Sequence, residues 1–187
     1  MNFIEAINNY KPYNGQEEKD KQVILDYISK FDDILYRTNE FAHFVTSAFV
    51  VNETMDKVLF IHHNIYNDWV WIGGHADGES DLLVQAKREL EEESGLKNYT
   101  LLSNDFIALD ILPVYNHYKN GKYVNAHVHL SVAYLFMAKE SELVRIKADE
   151  NNGVEWLELN KLNELVEEKQ MKPVYEKIKE RLKNKQF

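Results

Sequence analysis

The chain has 187 residues, 44% of them hydrophobic and 12% aromatic, enough for one domain with a core of its own. It contains no cysteine, which excludes disulfides, thiolate zinc sites and cysteine nucleophiles and leaves a reducing cytoplasm as the default compartment. Its formal net charge of −9 disfavours a nucleic-acid partner and repels a free anionic substrate, so such a substrate needs a metal or local positive charge to meet it.

The start, Met1-Asn2-Phe3-Ile4-Glu5, lacks the basic stretch and apolar core of a secretory signal. No apolar run reaches the roughly 18 residues of a membrane-spanning helix. Residues 1–40 read as a helical extension, in which Val23, Ile24, Tyr27, Ile28 and Phe31 form one apolar face, broken into two short helices by Pro12, Asn14 and Gly15. Residues 41–159 read as an α/β core. His43 to Val51 and Lys57 to His62 are expected strands joined by a turn at Asn52 to Asp56. Asp68 to Ile72 is a short strand carrying Trp69 and Trp71. A helix follows, then strand from Tyr99 to Val114, a hairpin turn at Lys119-Asn120-Gly121-Lys122, and the longest strand pattern, Tyr123 to Met137. Val154 to Leu157 closes the core. Residues 160–187 read as C-terminal helices interrupted near Pro173, with a solvated basic face of Lys172, Lys177, Lys179, Arg181, Lys183 and Lys185. The order predicts one α/β domain with a mixed sheet between helices.

The chemistry concentrates in GGHADGESDLLVQAKRELEEESGL, Gly73 to Leu96. At about 100° per residue, Leu82, Leu83, Ala86 and Leu90 form an apolar stripe. Glu89, Glu92 and Glu93, spaced i, i+3, i+4, share a neighbouring arc, with Arg88 at its edge within reach of Glu92. Three carboxylates held that close repel one another unless a hard cation such as Mg²⁺ sits among them. Ser80 or Asp81 can cap the helix, and Gly95 stops it.

This segment resembles the Nudix box, G-x5-E-x7-R-E-U-x-E-E-x-G-U. Gly74, Arg88, Glu89, Leu90, Glu92, Glu93, Gly95 and Leu96 fall in register, whereas the first glutamate of the pattern falls on Ser80, with Glu79 one place early, and Ile72 stands where proline is usual. The resemblance implies an α/β/α sandwich of the Nudix type, with the N-terminal helices added to it. It also implies Mg²⁺ or Mn²⁺ held by Glu89, Glu92, Glu93 and the Gly74 carbonyl, with Arg88 pairing with and orienting a box glutamate. The implied reaction is hydrolysis of a pyrophosphate bond in a nucleoside diphosphate linked to another group. The implied partners are a small-molecule nucleotide and, by analogy, a second copy of the chain. The general base in such enzymes is a box glutamate or one from a later loop, where Glu150, in Ala148-Asp149-Glu150-Asn151-Asn152-Gly153, is the candidate and Asp149 its competitor. Catalytic roles thus fall on Arg88, Glu92, Glu93 and Glu150. A non-catalytic nucleotide sensor is the alternative within the resemblance. An isoprenoid-diphosphate isomerase would call for a catalytic cysteine, which the chain lacks.

The strand from Tyr123 to Met137 alternates. Val128, Leu130, Val132, Tyr134 and Phe136 share one face, and Asn125, His127, His129 and Ser131 the other. His127 and His129 could ligate a transition metal, meet substrate phosphate or hydrogen-bond internally. With no third ligand in view, contact with substrate or behind it is favoured for them, and His75 beside Gly74 could touch a phosphate or be a plain loop residue. Trp69, Trp71, Tyr115, Tyr118 and Tyr123 offer either stacking surface or ordinary packing.

Overall fold

The computed structural model describes residues 2–119 and 121–187. Two helices, α1 (Phe3–Asn9) and α2 (Gly15–Ile28), precede the strands β1 (Ala42–Val51), β2 (Lys57–His63), β3 (Asp68–Val70) and β4 (Ile72–His75). Helix α3 (Leu82–Ser94) leads to β5 (Thr100–Leu101), β6 (Ala108–Val114), β7 (His117–Lys119), β8 (Lys122–Val124), β9 (His127–Met137) and β10 (Asn151–Glu158), and the chain ends in α4 (Leu162–Leu165) and α5 (Lys172–Lys183).

The main sheet runs β10-β2-β1-β9-β5, with β3 on β2, β4 on β1 and β6 on β9. Its centre is the parallel pair β1 and β9, in register from Ala42 opposite Val128 to Val51 opposite Met137. The pairings of β1 with β2 and β4, and of β9 with β5 and β6, are antiparallel. Side chains alternate across a strand, so each strand feeds two cores. Phe44, Ala48 and Val50 of β1 join Leu130, Val132 and Phe136 of β9 beneath Ile7, Ile24 and the α3 stripe of Leu82, Ala86 and Leu90. Phe49, Val51, Phe60, Ala133 and Leu135 pack on the opposite face against Val174, Tyr175, Ile178 and Leu182 of α5. The result is the expected sandwich, with the N-terminal helices on the α3 side. Among the described residues no helix is long and apolar enough to cross a membrane.

Several local expectations shift. The N-terminal helices end at Ile28, and turns carry the chain through Asp33, Tyr36 and Asn39 to β1. The strand entering the box is two pieces, β3 and β4. Tyr99 to Val114 divides into β5 and β6 with a loop between them, and the long strand breaks at Asn125 and Ala126. There Asn125 donates its side-chain amide to the Glu40 carbonyl at 2.8 Å instead of joining the His127 face. The hairpin of β7 and β8 pairs Tyr118 with Tyr123, while its turn at Asn120 lies outside the described residues. Pro173 does not interrupt a helix. It sits in the first turn of α5, where a missing N–H costs nothing. The aromatic residues split: Trp69 and Trp71 pack against the α5-side core, whereas Tyr115, Tyr118 and Tyr123 are exposed.

The basic tail is not uniformly solvated. Lys177 is buried, its Nζ lying 2.9 Å from Glu17 Oε1 and 2.7 Å from Asp110 Oδ1. Arg181 donates to the Tyr10 hydroxyl at 2.8 Å and to the Ile107 carbonyl at 2.7 Å. Tyr10 in turn donates to Glu17 Oε2 at 2.6 Å, so the network ties the N-terminal helices to β6 and α5. Removing one partner of a buried ion pair leaves the others charged and uncompensated. Lys177→Ala is therefore expected to cost about 3–5 kcal/mol, read as a lower midpoint in thermal or urea unfolding.

Candidate metal centre

The box helix forms as its sequence dictates. Asp81 is the cap: its Oδ1 accepts from Leu83 N at 3.1 Å and from Val84 N at 3.4 Å. Gly95 ends the helix at φ 69°, the left-handed region that glycine adopts without a steric penalty. The apolar stripe seats the helix on β1 and β4, which aims Glu89 and Glu93 inward at the two glycines of β4. Glu93 Oε2 accepts from Gly73 N at 3.0 Å. Glu89 lies so close to Gly74 that a Cβ there would stand 2.5 Å from its carboxyl carbon.

The loop before β10 supplies a further carboxylate. Its backbone docks on the end of α3 through Arg145 N to Ser94 O at 2.7 Å, and Asn151 donates its amide to the Glu93 carbonyl at 3.0 Å. This docking brings Glu150 beside the helix, and oxygens of Glu89, Glu93 and Glu150 lie within 4.8 Å of one another. Asp149 is exposed and stands outside the group. Glu92 is also outside it: its Oε2 is 3.1 Å from the ammonium of Lys147, which is 3.2 Å from Glu150 Oε1. Lys147 carries the positive charge nearest the carboxylates and was not singled out from sequence, where it reads as one more surface lysine.

Arg88 does not pair with Glu92. Its guanidinium lies 3.5 Å from Glu79, one place before the box position of the first glutamate, and donates to Gln85 Oε1 at 2.7 Å. Gln85 then donates to Glu89 Oε1 at 2.7 Å and to the His75 carbonyl at 3.0 Å. Arg88 thus reaches a box glutamate through Gln85. Ser80 holds no such place: its carbonyl accepts from Phe3 N at 3.0 Å. Arg37, a half-exposed residue that sequence reasoning passed over, pairs with Asp77 at 2.8 Å, and the charges of Glu89 and Glu150 act on it.

The electrostatics are those of an anion cluster short of cations. Burial pushes the Glu93 carboxyl up to about 9; the Gly73 amide opposes this, and Glu89 and Glu150 add repulsion. Burial also raises Glu89, again helped by Glu150 and Glu92. Burial works against the charge of Lys147, yet its hydrogen bonds to Glu92 and Glu150 hold the ammonium well above the ordinary lysine range. Three converging carboxylates, two of them disfavoured as anions, suit a hard divalent cation bound through oxygen. The space that Gly74 leaves open keeps Glu89 aimed at that group. Gly74→Ala should push the flexible end of Glu89 aside and weaken Mn²⁺ binding while leaving the unfolding midpoint nearly unchanged. Gly73→Ala would place its Cβ 2.5 Å from the Thr46 carbonyl, so there the fold itself should suffer.

The predicted substrate-side residues lie on the other face of the sheet. His127 and His129 of β9 and His75 of β4 gather around His43 of β1, with ring centroids 4.9, 5.2 and 5.0 Å from the His43 ring. His43 went unremarked in the sequence because its neighbours depend on the parallel register of β1 and β9, which no local pattern reveals.

A family model of the NUDIX domain matches residues 42–181. No curated protein sequence matches the chain significantly. Among solved structures, the chain is similar to an Ap4A hydrolase of C. elegans, at 16% identity over 75% of this chain and 97% of that one, with a TM-score of 0.57. It is similar to RenU, a Nudix hydrolase from M. smegmatis, at 13% identity over 77% of this chain and 88% of that one, with a TM-score of 0.57. The MutT protein of Methanosarcina mazei Go1 aligns at 18% identity over 78% of this chain and 98% of that one, with a TM-score of 0.54. At these identities the likeness is one of fold, whereas the family model spans most of the chain and includes the box helix and the Glu150 loop. The chain belongs to the NUDIX family.

Proposed function

We propose that this chain hydrolyses a pyrophosphate bond in a nucleoside diphosphate linked to a second group, with Mg²⁺ or Mn²⁺ held by Glu89, Glu93, Glu150 and the Gly74 carbonyl. The observation that carries this reading is the convergence of three carboxylates within 4.8 Å of one another, two of them seated on Gly73 and Gly74. When bound, a divalent cation neutralises diphosphate oxygens and lowers the pKa of a coordinated water. The chain's own residues do the rest. Gln85, held by Arg88, fixes Glu89, and the Gly73 amide fixes Glu93. Glu150 is the base we favour over Asp149, because it alone of the two reaches the cluster. Glu92 enters once Lys147 releases it, and Lys147 and Arg37 then supply the positive charge that an acidic protein needs to hold phosphate. His75, His127 and His129, expected on the substrate side, lie across the sheet from these carboxylates and take no part in this reading.

The test is release of phosphate or nucleoside monophosphate from nucleotide sugars, ADP-ribose, dinucleoside polyphosphates and (d)NTPs, with Mg²⁺ or with chelator. Metal-dependent turnover of at least one compound is expected, and it should fall steeply in Glu93→Gln. Ligand-induced thermal stabilisation without turnover of any of them would favour a nucleotide sensor instead.

A further inference from the structure

We infer that His43, His75 and His129 form a nitrogen-only site, separate from the carboxylates, that takes a divalent transition metal ion such as Zn²⁺. The site goes beyond the hydrolase reading and does not depend on it. Its geometry follows from the sheet. His43 and His129 stand opposite one another in the parallel pair β1 and β9. His75 lies opposite Val45 in β4, so alternation puts it on the His43 side. One ring nitrogen from each of the three lies within 4.8 Å of the others. Tetrahedral zinc with bonds of about 2.0–2.1 Å separates its nitrogens by about 3.3 Å, a closure within reach of small side-chain rotations.

At His43 a hydrogen bond leaves one ring nitrogen with a bare lone pair. His43 Nδ1 lies 2.9 Å from the Asn39 carbonyl. A carbonyl only accepts, so Nδ1 carries the proton and Nε2 is left as a bare acceptor. Metal-binding histidines are commonly braced in this way by a backbone carbonyl. His43 is 4% exposed, and its Nε2 is buried without a partner; the same holds for Nε2 of His129. A buried acceptor left without a donor costs about 1–3 kcal/mol, a cost that a bound cation removes. His127 flanks the group with its Nδ1 2.9 Å from the Asn125 carbonyl, which fixes the same tautomer and makes it the next ligand at hand.

Burial, reinforced by the neighbouring histidines, drives His129 down to about 2, and burial lowers His43 as well. The donor set decides the metal: imidazole nitrogens suit Zn, Cu or Ni, whereas the oxygens on the far side of the same strand suit Mg²⁺ or Mn²⁺. Gly74 faces one group and His75 the other, so β4 separates two sites of opposite chemical taste.

The experiment titrates chelator-treated full-length protein with Co²⁺ in excess Mg²⁺ and reads the visible d–d absorption. One equivalent with the spectrum of a nitrogen-ligated, low-coordinate ion is expected, displaced by Zn²⁺ and not by further Mg²⁺. His43→Asn and His129→Asn should each weaken Co²⁺ by about a hundredfold or more, since loss of outer-shell partners alone costs 10–100-fold. Glu89→Gln and Glu93→Gln should leave that binding unchanged, which separates this site from the hydrolase reading. Circular dichroism checks the fold, and if either buried variant fails to fold, the half-buried His75→Gln gives the same readout. Absence of Co²⁺ binding in the unaltered protein would overturn the proposal. So would binding that survives the histidine variants, or binding abolished by Glu93→Gln.

Discussion

Glu93→Gln is expected to lower turnover by about a hundredfold or more, a loss larger than that usual for residues behind a metal ligand, while the metal-free protein becomes more stable. The two effects share one cause. Glu93 is 3% exposed and faces Glu89 and Glu150, so its anion is stabilised only by the Gly73 amide and by whatever cation joins the cluster. The amide of glutamine keeps the shape and removes the charge. It therefore removes the cost of keeping a buried carboxyl protonated in the metal-free fold and deletes a ligand from the working site. Turnover measured beside thermal unfolding in chelator tests both halves at once. A variant that loses activity and folded protein together would mark Glu93 as part of the core alone.

The stability of the metal-free protein should fall as pH rises from the ordinary carboxylate range toward about 9. The Glu93 pKa is raised in the fold, so between its ordinary value of 4.5 and about 9 the native state holds a proton that the unfolded chain has released. Stability then declines with pH across that window and is fully present only below it. Glu89, raised in the same direction, adds to the slope at its lower end. Unfolding midpoints taken in chelator should show this decline, Glu93→Gln should flatten it, and Mg²⁺ should restore stability most where the loss is greatest. A slope that Glu93→Gln leaves unchanged would place the titration elsewhere.

Much of this was legible along the chain. The apolar stripe from Leu82 to Leu90 sets the helix on the sheet, Asp81 and Gly95 bound it, and the i, i+3, i+4 spacing puts the carboxylates on one side. Glu150 could be picked out because an acidic turn just before a short strand is a natural supplier of a loop carboxylate. What escaped was set by contacts distant in sequence. Lys147 gains its role only because Arg145 docks on Ser94, which carries the Lys147 ammonium between Glu92 and Glu150. That contact explains why the expected ligand Glu92 is drawn outward. Arg88 was expected to reach Glu92, and its pairing with Glu79 at 3.5 Å depends on how the loop before the helix folds back on it. His43 joins three other histidines through strand pairing alone. The long strand breaks at Asn125 because its amide is engaged by the Glu40 carbonyl, a partner invisible to a pattern of alternation.

Glu89, Glu93 and Glu150 are expected to grip one divalent cation together. Mn²⁺ binding followed by electron paramagnetic resonance, with Zn²⁺ present to fill any nitrogen site, addresses it most directly. Tight binding to the unaltered protein that is weakened by each of Glu89→Gln, Glu93→Gln and Glu150→Gln is the predicted result. Equal Mn²⁺ affinity in all four proteins, or none in any of them, would contradict it.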